Sequence, residues 1–450
     1  MKIPKVFQES IVKEGTVFFI GGIIANFLNY LYRILMGRML GPEMFGELVP
    51  LISLALILAV PASPVQVAAA KFSADFEASG ARDKLKNLFG YLNKVFFLIA
   101  FSLTTLIIVF ARPVQIFLKL SSISYVYFLA AIVGLTFLIS PPRGILQGQK
   151  KFSQLTLSVL VESASRVILG ILFVVVGFKV SGALGAFLCS LFLGYLFALY
   201  LSRRSDNLTS ANPKDIPFKI REIWRYIFYS FFAFLLLNIL INLDKILVKH
   251  YFSDFQSGIY SAFSSLGQIS FLAVSLLAGI MFPLVVSQVK KREDYFFSLK
   301  KILIISFLLI IIISLFLFAF AKGLISVFFG EAYFAAAGSL GFYGLAMSLV
   351  GLIFLLSYFF MALDKFNFLF ILGGGSLLEW LFISFYHHSF FQVILMFSLA
   401  LSSTLLGFCF LLFRENLWRR KSVETRVPQN RASDSCGNSG SAKLYDIRNL

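Results

Sequence analysis

The sequence predicts an all-α polytopic membrane protein, twelve transmembrane helices in two pseudo-symmetric six-helix bundles around a central cavity. Three observations predict it: too few charges for a soluble surface, twelve apolar runs of spanning length, and a motif that returns about 212 residues later. Of 450 residues, 59% are hydrophobic and 14% charged, and the mean hydropathy is +0.87. A soluble fold keeps roughly a quarter of its residues charged. The net charge of +18 would suggest nucleic acid in a soluble chain. Here it reads as basic loops against anionic lipid, with membrane lipids and not nucleic acid as the expected partner. Cys189 and Cys409 lie in apolar runs and Cys436 near the end of the chain, so neither a disulfide framework nor a metal site is expected. His250, His387 and His388 fall near predicted helix ends without ligand spacing and read as interfacial.

A hydrocarbon core about 30 Å thick needs roughly 20 apolar residues of helix. That ruler places spans at 15–36, 47–70, 88–111, 124–139, 153–176 and 181–201, then at 226–248, 258–286, 298–320, 335–363, 367–386 and 389–413. Residues 1–14 are too polar and short for a signal peptide, so the first span is expected to be retained. The predicted organisation is an N-terminal segment (1–14), a first bundle (15–201), a linker (202–225), a second bundle (226–413) and a tail (414–450) expected to be disordered. Segments on the side of the termini carry 30 Lys and Arg against 6 on the other side. The positive-inside rule then puts both termini in the cytoplasm of an inner membrane.

The repeat is carried by two segments. NYLYRILMGRMLGPEMFGE (29–47) aligns with INLDKILVKHYFSDFQSGI (241–259), matching Arg33 to Lys245, Asn26 to Asn238 and Gly46 to Gly258. GQKKF (148–152) aligns with ALDKF (362–366) at nearly the same offset. Six spans per half give both halves one orientation, the parallel-repeat plan of some secondary transporters, with a substrate cavity between the halves.

Ionisable groups at bilayer depth are costly and each needs a reason. On the first span Gly22, Asn26, Asn29 or Tyr30, Arg33 and Gly37 share one helix face, being three or four residues apart. Asn238, Asn242 and Lys245 repeat the stripe on the seventh span, with Asp244 beside it. Arg33 and Lys245 either snorkel to headgroups or line a cavity, where a matched pair of cations suits an anionic phosphate or pyrophosphate. Glu162 and Arg166, near the middle of the fifth span, form an i,i+4 pair in the favourable order. The pair is either a self-neutralised packing element or one that opens for substrate or a coupling ion. Glu379, mid-depth in the eleventh span, has no local partner. It is a protonation candidate or a partner for Arg166 or Lys245. Glu162, Glu379 and Asp244 are thus the coupling-ion candidates, for a proton or sodium gradient. Pro61 and Pro64, the Pro141-Pro142 pair and Gly373-Gly374-Gly375 are expected to kink or stop helices. No phosphate-binding loop, metal-ligand set or external Ser/His/Asp group is present, so neither an enzyme nor a bound cofactor is expected.

GRMLGPEMFGELVPLISL (37–54) and VPASPVQVAAAKFSADFEASGARDK (60–84) resemble the first loop, second span and following loop of polysaccharide-transport proteins. These form the oligosaccharide-flippase branch of the multidrug/oligosaccharidyl-lipid/polysaccharide exporter superfamily. The resemblance covers roughly residues 1–415, with specific motifs in about sixty of them. It implies a V-shaped pair of six-helix bundles with a cationic cavity that flips polyprenyl-diphosphate glycans between leaflets. On that basis Arg33, Lys245 and Arg166 become candidates for holding diphosphate or acidic sugars. A glycan polymerase or glycosyltransferases are the partner proteins such a role implies. A cation-coupled multidrug or metabolite antiporter on the same fold is the alternative, and a nontransporting scaffold for glycan synthesis a third reading.

Overall fold

The computed structural model describes residues 5–78, 82–204, 220–291 and 294–424. The predicted linker falls largely, and the tail mostly, outside the described residues. Residues Met1–Leu405 form one compact unit and Leu406–Leu450 a second; everything below concerns the first. Fourteen α-helices and one 3-10 turn make up the described chain. They are α1 (Lys5–Leu58), α2 (Ala62–Ala78), α3 (Arg82–Val109), α4 (Ala111–Phe117), α5 (Ser124–Gly148), α6 (Phe152–Val175) and α7 (Lys179–Arg204). Then come α8 (Ile220–Tyr251), α9 (Asp254–Lys291), α10 (Tyr295–Ala319), α11 (Ala321–Phe328), the 3-10 turn (Glu331–Ala336), α12 (Ala337–Ala362), α13 (Phe368–Phe385) and α14 (Phe390–Glu424).

Eleven of these stretches, among the described residues, are long and apolar enough to cross a bilayer. The first, Thr16–Leu58, has 43 residues, about twice what one crossing takes at ~1.5 Å per residue. Its continuity is broken at Gly41, where φ is 74° and ψ 173°. Only glycine takes that conformation without strain, and Pro42 then begins the next segment where a missing N–H costs nothing. The chain therefore makes twelve passes. The second pass is itself divided, since α1 ends at Leu58 and α2 starts at Ala62, with Pro61 between them. Pro64 sits harmlessly in the first turn of α2.

Two expected breaks do not occur. Helix α5 runs through Pro141 and Pro142 to Gly148, well beyond the predicted end at residue 139. Both prolines are buried, and Gly144 and Gly148 lie against Gln66 and Ala70 of α2 with no room for a Cβ. That backbone-to-backbone packing holds the helix together where two N–H donors are missing. Likewise α13 is continuous through Gly373-Gly374-Gly375. Gly375 faces the Thr404 side chain with no space between, so it serves close helix approach and not a hinge.

The repeat reappears in backbone features no hydropathy scan detects. A short helix follows the third pass of each half, starting at Ala111 and at Ala321. Left-handed residues occur at Lys119 and Gly330, and at Lys150 and Asp364. These three offsets run from 210 to 214 residues, matching the sequence repeat. Gly46 and Gly258, aligned by that repeat, pack on each other where the second pass crosses α9: a Cβ on Gly46 would lie 2.7 Å from the Gly258 nitrogen. The pseudo-twofold axis thus passes between two glycines at the end of the molecule away from the start of α1.

Candidate functional site: a charged interior and a packed far end

The stripe predicted on α1 divides, and among the described residues only its Tyr30 and Arg33 side chains reach across to the second half. Tyr30 donates its hydroxyl to the Ser265 carbonyl of α9. One turn later Arg33 Nη1 donates to Gln268 Oε1 at 2.6 Å. Asn29, on the adjoining strip of the helix, turns into the first half: its Nδ2 donates to Ser163 Oγ at 3.4 Å, and its Oδ1 accepts from Arg166 Nη1 at 2.6 Å. Asn26 is exposed. Arg33 is half-buried, and among the described residues it has no carboxylate partner.

Glu162 and Arg166 do pair, but not alone. Glu162 Oε1 accepts from Arg166 Nη2, while Oε2 accepts from Arg143 Nη2 at 2.8 Å. Arg166 also donates Nε to Ser190 Oγ at 3.1 Å and stacks 3.8 Å from the centre of the Phe187 ring. Arg143 donates Nε to Ser158 Oγ at 3.1 Å and Nη2 to the Ser158 carbonyl at 3.2 Å. One carboxylate therefore sits between two guanidinium groups, each with further acceptors, as buried charges require. The sequence placed Arg143 in a loop because the two prolines were read as a helix end. The continuation of α5 is what carries it to Glu162.

The second half is built differently. Lys245 is 2% exposed; its Nζ donates to Asp244 Oδ1 at 3.1 Å and to the Ile241 carbonyl at 2.6 Å. Asp244 Oδ2 accepts from the hydroxyls of Tyr260 and Tyr343, each at 2.8 Å. Asn238 and Asn242 donate to the carbonyls of Phe234 and Asn238 in their own helix, at 2.9 and 3.1 Å. Lys245 is thus paired within its own helix, whereas Arg33 reaches across to α9. Lys245 is neutralised one residue away, because Asp244 precedes it where Tyr32 precedes Arg33. Glu379 is fully buried. Neither of its carboxyl oxygens meets a hydrogen-bond donor in bonding geometry, although Asp244 and Lys245 lie close enough to act on it electrostatically. It does not reach Arg166. The interior is therefore asymmetric: Arg143 and Arg166 share Glu162 in the first half while Arg33 meets a neutral amide at the junction, whereas in the second half Lys245 is paired with Asp244 and Glu379 lies buried nearby.

The end away from the start of α1 is packed shut across the halves. Ser257 Oγ donates to the Gly46 carbonyl at 3.0 Å and Tyr333 OH to the Gly37 carbonyl at 2.7 Å. Arg38 Nη1 donates to the Val327 carbonyl at 3.0 Å, and Phe45 meets Phe329 and Tyr333. The histidines join this seal. His250 stacks on Phe117 with ring centres 4.3 Å apart, its Nδ1 2.7 Å from the Phe117 carbonyl. Tyr251 stacks on His387 at 3.8 Å. Their place near helix ends was legible in sequence; the ladder they form was not.

Twelve passes, buried charges at their centre and one sealed end define a multi-pass membrane protein of transporter architecture. The chain belongs to the polysaccharide biosynthesis protein family, whose sequence profile matches residues 11–289. Among solved structures it is similar to a multidrug resistance MATE family transporter of the MOP superfamily in its inward-facing conformation, with a TM-score of 0.75 and 16% identity over 88% of this chain and 96% of that one. The outward-facing conformation of such a transporter gives 0.62, at 16% identity over 91% and 96%, in keeping with the packed far end. A MOP superfamily transporter from Pyrococcus furiosus Vc1, for which reverse polarity of the binding pocket suggests a different function, gives 0.64 at 16% identity over 90% and 95%. No curated protein matches the chain.

Proposed function

We propose that this protein is a flippase that moves lipid-linked oligosaccharide, a polyprenyl-diphosphate glycan, across the cytoplasmic membrane by alternating access, for cell-surface polysaccharide biosynthesis. The observation that carries this reading is the cationic excess at the junction. Arg33 is held by a neutral amide, next to a three-residue cluster with one surplus positive charge. Guanidinium groups bind phosphate oxygens through paired, charge-assisted hydrogen bonds. A diphosphate entering from the terminus side would compete with Gln268 for Arg33. It would thereby weaken a bond between the halves and favour rocking toward the other state. Asp244 and Glu379 are the groups through which a proton or sodium gradient would act, and both termini lie in the cytoplasm on this reading. An organic-cation exporter would want the opposite sign at the junction.

The test is transbilayer movement of a fluorescent polyprenyl-diphosphate oligosaccharide in liposomes carrying wild type, Arg33→Gln or Arg166→Gln. Protein-dependent movement that collapses in Arg33→Gln is the expected result. Movement indifferent to both changes would discard the site. No movement of any glycan lipid by well-folded protein, together with efflux of cationic dyes, would favour the multidrug antiporter.

A further inference from the structure

A shallow, open groove on one face of α7, at the end where the chain leaves that helix, plays no part in the reading above. It has a volume of about 420 Å³ and is lined by Leu196, Leu199, Tyr200, Arg203 and Arg204. Its floor is anchored: Leu199 packs on the buried cluster of Leu85, Phe89 and Ile145, which ties α7 to α3 and α5. Its outer wall continues an apolar strip, since Phe192, Leu196 and Tyr200 follow each other at four-residue intervals and all are exposed. The next position in that series is Arg204. Its Nη1 donates to Tyr200 OH at 2.9 Å, and its guanidinium carbon lies 5.9 Å from the centre of the Tyr200 ring. The hydroxyl thus holds the guanidinium back over the groove. Arg203 completes the rim, and no carboxylate is among the lining residues.

We propose that this groove binds an anionic glycerophospholipid, its phosphate against Arg203 and Arg204 and an acyl chain along Leu196 and the strip above it. The order of chemistry along the helix, apolar, then aromatic with a polar tip, then doubly cationic, is the order met along such a lipid from chain to interface to headgroup. The site is apolar over most of its lining and sits at the end of a spanning helix, which favours a lipid over a free soluble anion. Two exposed guanidinium groups with no carboxylate paired to them among the described residues favour net negative charge over a zwitterion. A bound lipid would brace the last turn of the first half where the chain leaves it.

The experiment uses the purified full-length protein in micelles doped with phosphatidylglycerol or with phosphatidylcholine of identical acyl chains. It reads lipid retained in native mass spectrometry and the shift in Tm. Wild type is expected to retain and be stabilised by phosphatidylglycerol over phosphatidylcholine. In R203Q/R204Q the affinity should fall roughly thirtyfold, the product of two cation contributions of the size an anionic surface gives each Arg. K300Q/K301Q removes an exposed basic pair on the same side, at the start of α10, and should change nothing. Tyr200→Phe keeps the ring, frees Arg204, and should weaken retention a few-fold even if the double variant folds poorly. Equal losses in both double variants would reduce the effect to general surface attraction and overturn the proposal. So would unchanged retention in R203Q/R204Q, equal binding of phosphatidylcholine, or displacement by glycerol 3-phosphate as effective as by the lipid.

Discussion

Gly46→Ala tests the seal between the halves. The added Cβ would lie 2.7 Å from the Gly258 nitrogen and closer still to the Asp254 carbonyl oxygen, whereas ordinary contact begins at 3.4 Å. The neighbour is helix backbone, so no rotamer change relieves the clash. Raising 2.7 Å to 3.4 Å separates the helices by about 0.7 Å, and relieving the carbonyl overlap takes more. The Ser257–Gly46 hydrogen bond, 3.0 Å in the wild type, stretches in consequence. Overpacking of this kind costs about 1–3 kcal/mol, and the cost falls only on the state in which the far end is closed. A middle value of about 2 kcal/mol moves the equilibrium between closed and open far ends roughly thirtyfold toward open. Spin labels at positions 112 and 322, both exposed on the short far-end helices of opposite halves, report the change by pulsed electron resonance in a cysteine-replaced background. The expected result is a new population at longer distance in Gly46→Ala. Gly279→Ala, where a Cβ meets nothing within 4 Å, serves as control and should match wild type. A Gly46→Ala distribution superimposable on wild type would show that the seal does not depend on this crossing.

Arg143→Gln strips Glu162 of one of its two cations, and a double-mutant cycle with Glu162→Gln in thermal unfolding should return a coupling of at least about 1 kcal/mol; no coupling would mean that the contact is incidental. Asp244→Asn takes from the buried Lys245 the counter-charge it is paired with, leaving it neutral acceptors such as the Ile241 carbonyl, and loses an anionic acceptor for two tyrosines, so a cost of about 3–5 kcal/mol is expected, seen as a large drop in Tm. Glu379→Gln removes the charge of a buried carboxylate that meets no side-chain donor among the described residues; this variant should be at least as thermostable as wild type, while gradient-driven transport is lost, and a destabilised variant would reveal a partner for the native carboxylate.

Much of the fold was legible because lipid leaves a chain few options. Every backbone polar group must be satisfied within the segment, so apolar runs of spanning length have to be helices. The 212-residue repeat adds the symmetry. The misreadings share one cause. Pro141-Pro142 and Gly373-Gly374-Gly375 break helices in isolation, but here α2 and Thr404 lie close against them, and packing outweighs local propensity. The same misreading hid Arg143, the cation that turns an expected neutral pair into a positive cluster. An arginine immediately after the two prolines, followed by the apolar Ile145 and Leu146, was the available signal.

The sequence by itself determined that the chain crosses a membrane twelve times, that its halves repeat, and most of the residues that carry charge at depth, Arg143 excepted. Those are properties of composition and period, set before any two segments meet. Which charges cancel was decided only by the tertiary structure. Lys245 is matched by the residue next to it, Arg166 by Glu162 one turn before, and Arg143 by the same Glu162 from another helix. Arg33 is left with an amide across the junction. At low dielectric a charge is governed by what lies within a few ångströms, and those neighbours come from helices far apart in the chain.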